Sequence, residues 1–462
     1  MQQVVMSRVR VMLAAVCLFF CTAVGIRAQD YVGFNANPWS GVTGIDLQPA
    51  NILGTVYKAD INLVGMSLYA GNNYLAFNPK SVFRWSLNQA NSNESDTTGV
   101  LTKAYIHTRL HLPSAMFEIN PNMAVALTIQ ARASAQLTNA GRELVKQSYE
   151  DLQYEPYLSK TYNTPGISIN QLSWTEIGVT YGYLHYLSGG HRFKMAARAK
   201  YLMGLNALYL NSPDAGFRFD DGDILSVYNT NVAYGHTETG GPYLRFKPQA
   251  HSFGFDLGFK YSFKNRFIFG VSLLDVGTLT FDKAPQSGNF TANINNWDLT
   301  DVTFESLTDF NDTIANRVTY KPDARQFKMA LPTALSFQGT VYLWDSGAFE
   351  GGGYNNIYFS FNSYTAVAMG SADGRLKAVN SYVFTPGFTT IAITGGLPVS
   401  INEFEGVNVG GFLRLGPFVL GSKNFFTSLA KKQVNEADIY WAIKIPLLKP
   451  KPTIVQGCPK RF

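Results

Sequence analysis

Ser252–Phe281 reads SFGFDLGFKYSFKNRFIFGVSLLDVGTLTF, and its patterning decides the fold. From Phe253 to Phe263 every odd position is apolar or aromatic, while Gly254, Asp256, Gly258, Lys260 and Ser262 fill the even ones. Such alternation marks a β-strand with one oily and one polar face. Lys264-Asn265-Arg266 then offers a tight turn. Phe267, Phe269, Val271 and Leu273 repeat the oily face, with Gly270 and Ser272 opposite. Strands of soluble sandwiches run to about five or six residues. A tilted strand crossing a bilayer needs about 9–11, with large apolar residues on the lipid side and small or charged ones inside.

The unit recurs along the chain. Ile106, Thr108, Leu110 and Leu112 oppose His107, Arg109 and His111, and Asn120-Pro121-Asn122 turns into Met123–Ser134, which alternates again. Trp174–Tyr186 and His191–Met203 flank Ser188-Gly189-Gly190. Phe193, Met195, Ala197, Ala199 and Tyr201 there alternate with Arg192, Lys194, Ala196, Arg198 and Lys200. Later strands are read at Leu335–Leu343, Ile357–Tyr364, roughly Leu376–Phe384, Phe388–Thr394, Val407–Leu415, Phe418–Ser422 and Asp438–Leu447. Lys449-Pro450-Lys451-Pro452 stops the last one, because prolines cannot donate to a ladder.

An earlier strand is expected at Lys58–Tyr69, with Tyr57, Ala59, Ile61 and Leu63 on its oily face and Lys58, Asp60 and Asn62 opposite. A less regular one follows the Gly71-Asn72-Asn73 turn, over Tyr74–Trp85. Counted this way there are fifteen strands, with short turns after the first, third, fifth and seventh. Segments 87–101, 136–172, 207–249 and 282–331 are long and polar. Sorting short turns from long loops is the periplasmic–extracellular asymmetry of outer-membrane barrels. It predicts that Lys58–Tyr69 runs from outside towards the periplasm. Gln29–Tyr57 must then cross the membrane thickness, either as an extra strand or as a plug in the lumen. The total is fourteen or sixteen, since bacterial single-chain barrels have even strand numbers.

The ends of the chain and its composition agree with export. Arg8 and Arg10 precede the apolar run Val11–Val24, which reads as a secretory signal peptide cleaved after Ala28. The run is too short for a comfortable membrane helix. Cys17 and Cys21 leave with it, so Cys458 alone remains and no intramolecular disulfide is expected. Loss of Arg8, Arg10 and Arg27 lowers the formal net charge from +6 to +3, which is no nucleic-acid signature. The expected divisions are residues 1–28 as signal, 29–57 as plug or lumen-crossing segment, 58–448 as barrel and 449–462 as periplasmic tail.

Several short motifs carry a resemblance. They are Lys200-Tyr201-Leu202-Met203-Gly204, Phe255-Asp256-Leu257-Gly258, Leu274-Asp275-Val276-Gly277, Leu331-Pro332-Thr333, Leu415-Gly416-Pro417-Phe418 and Ala437-Asp438-Ile439-Tyr440. Together they span most of the mature chain. With them the sequence resembles a Bacteroidetes-type family of outer-membrane β-barrels of unknown function. That family is distantly similar to the long-chain fatty acid transporter barrels. Pro49-Ala50 is similar to an Asn-Pro-Ala motif near the start of those transporters, with Gln48 in place of the usual Asn. The resemblance implies an N-terminal segment seated in the lumen as a hatch.

Catalytic patterns are weak. His107 and His111 share a face but stand about 13 Å apart along a strand, too far for one metal ion. Gly270-Val271-Ser272-Leu273-Leu274 lacks the second glycine of a nucleophile elbow. Gly351-Gly352-Gly353 lacks the Lys-Ser/Thr of a phosphate loop. Asp298, Asp301, Glu305, Asp309 and Asp312 fit no calcium loop spacing. No cofactor or metal is expected, and no enzyme activity.

The inward charges Arg109, Arg132, Glu176, Lys194, Arg198, Asp256, Lys260 and Lys444 remain as lumen-facing binding candidates. They either pair with one another and the plug, or their basic members steer an anionic solute by charge-assisted hydrogen bonds. The sequence therefore reads as an all-β, closed antiparallel transmembrane barrel of about 14 strands (14–16) in the outer membrane. Its expected role is passive uptake or binding of a small hydrophobic or anionic solute. The alternative is a structural or assembly component that binds partner proteins through loops or tail. Outer-membrane lipid is its expected surrounding, and nucleic acid is no partner.

Overall fold

The computed structural model describes residues 30–79, 91–92, 101–149, 154–237, 247–283, 285–299, 319–322, 326–343, 355–404 and 406–449. Fourteen antiparallel strands form the wall. In chain order they are β1 (Tyr57–Asn72), β2 (Leu101–His111 with Ser114–Asn120), β3 (Met123–Gly141), β4 (Ser168–Tyr186) and β5 (His191–Asn211). Next come β6 (Ala250–Phe263), β7 (Phe267–Phe281), β8 (Ala334–Tyr342), β9 (Asn356–Ala366) and β10 (Ser381–Thr389). The wall ends with β11 (Ile393–Gly396 with Val399–Asn402), β12 (Gly406–Val409 with Gly411–Leu415), β13 (Phe418–Ser422) and β14 (Glu436–Leu448). Strands β1 and β14 pair antiparallel from Tyr57↔Leu448 to Val64↔Ile443, which closes the sheet on itself and leaves no edge.

The opening hairpin shows why these residues make this wall. Phe263 faces Phe267 across the turn, where Lys264 and Asn265 both take positive φ (50° and 53°). Phe253, Phe255, Phe259 and Phe269 point outward with 76, 44, 53 and 57% exposure, while Asp256 and Ser272 are buried inside. Met195 and Tyr201 are exposed, and Lys194 and Arg198 are buried. Large apolar side chains outside and polar ones within invert a soluble protein, as a lipid solvent requires. No described helix is long and apolar enough to cross a membrane; these strands provide the apolar belt.

The wall has the fourteen strands expected of a plugged barrel, but one of the fifteen segments read as strands is not among them, and the direction of β1 differs from the sequence reading. Leu75–Ala76 pairs only with Asn91–Ser92, and residues 80–90 lie outside the described residues. Strand β1 instead pairs directly with β2, from Ala59↔Phe117 to Asn72↔Ala104, so no strand stands between them, and the described part of the expected Tyr74–Trp85 strand, residues 74–79, lies outside the wall. The count falls from fifteen to fourteen. Short turns accordingly follow even-numbered strands, as after β2, β4 and β6. Strand β1 therefore rises away from the short-turn rim, the periplasmic one by the usual barrel rule, and does not descend towards it. Both β1 and β14 meet that rim through Tyr57 and Leu448. No extra wall strand precedes Tyr57, and residues 30–56 turn into the lumen as two short 3-10 helices (Gly41–Asp46 and Pro49–Ile52) with their connections.

Two irregularities change which way side chains point. A register shift between Tyr57 and Ala59 turns Tyr57 inward, where its hydroxyl donates to the Trp39 carbonyl at 2.8 Å, and leaves Lys58 exposed. The strand read at Leu376–Phe384 starts at Ser381 instead. Leu376 is 1% exposed and packs with Trp174, Leu202 and Phe281, because its segment folds across the lumen. Its backbone is bound there, the Arg375 N–H donating to Asn170 Oδ1 and the Lys377 N–H to Gln136 Oε1.

Inside, the two larger of three buried apolar clusters lie at different heights. Trp39, Ile45, Ile52 and Leu53 pack with Tyr57, Phe412 and Tyr440 towards the short-turn rim. Leu172, Trp174, Leu202, Phe281, Met329 and Leu376 pack further out. Between them lies a layer of charge.

Candidate functional site

Strand β5 gives the vertical scale, because its inward residues climb from the short-turn rim. Lys194 lies lowest and donates from Nζ to the Leu53 carbonyl at 2.7 Å. Above it Arg198 reaches Asp46 at 3.0 Å, Glu176 at 3.3 Å and Asp256 at 3.4 Å. Lys200 follows, bound to Asp256 and Asp275 at 2.6 Å each. Arg132 meets Asp275 through two hydrogen bonds of 2.8 Å and Glu176 at 3.4 Å, and its guanidinium lies 4.6 Å above the Trp174 ring. Arg109 grips the N-terminal segment twice, at Asp30 (3.1 Å) and Asp46 (3.0 Å). Burying so many charges is tolerable only because each is paired, often in fork geometry.

The inward charges read from sequence thus fall into two groups. Arg109, Arg132, Glu176, Arg198 and Asp256 meet in this one network. Lys194, Lys260 and Lys444 lie apart and hold the N-terminal segment: Lys260 donates to Asn51 Oδ1 at 3.0 Å, and Lys444 pairs with Asp60 at 2.8 Å and with the Ser40 carbonyl. Gln48, the residue at the motif's altered position, donates from Nε2 to the carbonyls of Phe259 and Val271 at 3.2 and 3.1 Å. Gly258 lies directly beneath it, since a Cβ there would come within 1.9 Å of Gln48 Oε1. A glycine is what lets the N-terminal segment approach this wall so closely.

Sequence reasoning put Lys200 on the inward face without counting it among the binding candidates, and it passed over Asp30, Asp46 and Asp275. Asp275 follows Phe267, Phe269, Val271 and Leu273 in odd phase and would face lipid in a regular strand. Instead it has φ of 55° at a bulge that also leaves Leu274 buried, and its carboxylate turns inward. The signal was available in the charge itself, since a lone Asp on an otherwise apolar face argues for a bulge. Asp30 and Asp46 sit in a segment without alternation, where no pattern says which way a side chain points.

The two histidines serve different partners. His107 bonds Ser134 Oγ at 2.7 Å and lies 3.8 Å from Asp30, while His111 lies 3.4 Å from Asp46. Among the described residues no group of three or more His, Cys, Asp or Glu could hold a metal ion. Of the acidic loop positions only Asp298 is described; Asp301, Glu305, Asp309, Asp312 and Gly351–Gly353 lie outside the described residues.

A cavity opens beside the network, with ≈ 70 Å³ of room for water-sized molecules. Tyr31, Tyr69, Tyr105 and Tyr364 line it with Val379 and Val383, and Asp30, His107, Arg109 and Arg132 form its charged end. Asn35 and Asn362, 2 and 7% exposed, contribute side-chain oxygens with no hydrogen-bond partner among the described residues, and Asp30 Oδ1 has none either. The wall behind Tyr69 is polar: Glu436 accepts from Tyr69 (2.9 Å) and Asn402 (2.7 Å) and pairs with Lys423 at 2.7 Å.

Residues 49–423 match the model of a family of unknown function, DUF5723. The chain belongs to that family. No curated protein matches this DUF5723 chain. Among solved structures, the toluene transporter TbuX of Ralstonia pickettii aligns with 88% of this chain and 94% of its own, at 11% identity and a TM-score of 0.41. A FadL homologue of Pseudomonas aeruginosa aligns over 91 and 98%, at 8% identity and a TM-score of 0.40. The translocator domain of the autotransporter NalP from Neisseria meningitidis aligns over 84 and 88%, at 7% identity and a TM-score of 0.30. At such identities and scores these are likenesses of barrel shape, and the site of the DUF5723 chain is read from its own residues.

Proposed function

We propose that this DUF5723 barrel is a hatched outer-membrane channel for passive uptake of small, largely apolar solutes. One observation carries the reading: the tyrosine- and valine-lined cavity lies in the lumen directly against the N-terminal segment, with Tyr31, Val32 and Gly33 forming part of its lining. A ligand pocket is typically apolar with a few placed polar groups, and since this cavity of ≈ 70 Å³ is smaller than one that holds benzene, a solute of that size enters only as the N-terminal segment shifts. The segment that shuts the lumen below it is held by side-chain contacts and not by a strand ladder, so it can move while the wall stays closed. Uptake needs no catalysis in this reading. The test is solute influx into vesicles with a lipopolysaccharide outer leaflet, using labelled toluene. Influx several-fold faster than in protein-free vesicles supports the proposal, and an unchanged rate refutes it.

A second reading, as a structural component binding proteins outside the cell, draws on the length of β3, β4 and β5. At 19, 19 and 21 residues they exceed a membrane crossing and carry an outer layer, in which Asp214–Asp220 pairs with Thr161–Pro165 and Ile224–Thr237. Removing the hairpin 214–237 separates the two. The channel reading expects uptake to persist with intact cells; the structural one expects detergent-sensitive cells.

A further inference from the structure

The ion-pair network beside the cavity is not balanced. Followed from contact to contact it holds five carboxylates, Asp30, Asp46, Glu176, Asp256 and Asp275. Against them stand four permanent cations, Arg109, Arg132, Arg198 and Lys200. Counting these permanent charges, the carboxylates exceed the cations by one among the described residues, with His107 3.8 Å from Asp30 and His111 3.4 Å from Asp46. The place of that excess is not arbitrary. Asp275 and Asp256 each receive two cations, and Asp46 receives two arginines. Asp30 receives one, at Oδ2, while its Oδ1 is buried without a partner and its side chain lines the cavity.

Two further unsatisfied atoms around that space are acceptors like Asp30 Oδ1. Asn35 and Asn362 bring acceptor oxygens without donors, from the hatch and from the wall respectively. Tyrosine rings attract cations to their π-faces, and Lys423 already lies over one of them, 3.8 Å from the Tyr69 ring centroid. Nε of Arg109 and of Arg132 are donors without partners, but each belongs to a guanidinium whose terminal nitrogens are engaged by carboxylates. An anion would meet Asp30 at close range, and a hydrocarbon would leave three buried acceptors unpaired, which is costly.

We infer that the cavity selects a small apolar amine, bound as its ammonium form at Asp30 Oδ1 with its apolar body against the tyrosines. This rests on the cavity being the solute site proposed above, and it replaces a general preference for apolar solutes with a preference for hydrogen-bond-donating cations.

The experiment is calorimetric titration of the full mature protein in detergent with benzylammonium, toluene and benzoate at neutral pH. Benzylammonium is expected to bind at least tenfold more tightly than either of the others. Asp30→Asn should bring it to within about threefold of toluene, with heat-modifiable migration on gels verifying the fold. Asn362→Leu, on the wall and not on the hatch, gives an independent reading if the first variant misfolds, and should also reduce the preference. Toluene or benzoate binding as tightly as benzylammonium overturns the inference and leaves the channel reading standing. An undiminished preference in folded Asp30→Asn, or in Asn362→Leu, overturns it as well, because the amine then sits elsewhere. If none of the three ligands binds, the cavity is no solute site and both readings fall.

Discussion

Asp46 is the residue on which seating of the hatch most depends. Its side chain is 1% exposed and receives Arg109 and Arg198 at 3.0 Å each and Gln130 Nε2 at 2.8 Å. Replacing it by Asn keeps the shape and removes the charge. Breaking a buried pair by neutralising one partner costs about 3–5 kcal/mol, chiefly through the charge left behind. Here the arginines are not abandoned: Arg109 keeps Asp30 at 3.1 Å, and Arg198 keeps Glu176 and Asp256 at 3.3 and 3.4 Å. The lower figure, about 3 kcal/mol, is therefore the better one. At about 1.4 kcal/mol per tenfold, the unseated population should rise by about two orders of magnitude. Asp46 takes no part in the wall ladder, so the barrel itself should assemble and remain heat-modifiable. In planar bilayers, Asp46→Asn should spend about a hundredfold more time in a conducting state than the parent. An unchanged conducting fraction in a correctly folded variant would falsify the latch, and a failure to assemble would show that Asp46 supports the wall.

Gly258→Val pushes a side chain into the space of Gln48 and Pro49, where even a Cβ would be 1.9 and 2.9 Å away; it should raise conductance without harming assembly, and a tight channel would count against the close fit. Cysteine at 259 should react with a lipid-soluble reagent, since Phe259 is half exposed on the outer face, and cysteine at 256 should resist that reagent, since Asp256 is buried within; preferential water-soluble labelling at 259 would place the register one residue off. Truncation after Lys449 should still give a heat-modifiable barrel, because β14 ends at Leu448 and the Lys449 N–H bonds the Val56 carbonyl at 3.0 Å. Truncation after Glu436 removes the strand that closes the wall and should abolish assembly. Loss of assembly in the shorter deletion alone would mean that residues 450–462 carry an insertion signal.

Alternation along the chain is enough to set the class of fold and the outward face of most strands. Phe255, Phe259, Met195 and Tyr201 point to lipid and Asp256, Lys194 and Arg198 to the lumen, as their alternation demands. That information is local: a strand between lipid and a polar interior must repeat every two residues, whatever its neighbours are. What escaped the sequence was whatever interrupts the repeat or joins distant positions. The bulges at Tyr57 and Asp275 reverse a face within one residue, and the turn signal at Gly71-Asn73 suggested a fifteenth strand that the pairing of β1 with β2 excludes. The hatch and the Leu376 segment have no period to read, because the lumen surrounds them on every side. Which charges pair was beyond reach for the same reason. Asp46 and Arg198 stand 152 residues apart, and only closure of the wall around the hatch brings the two together in a space too small and too dry to leave either alone.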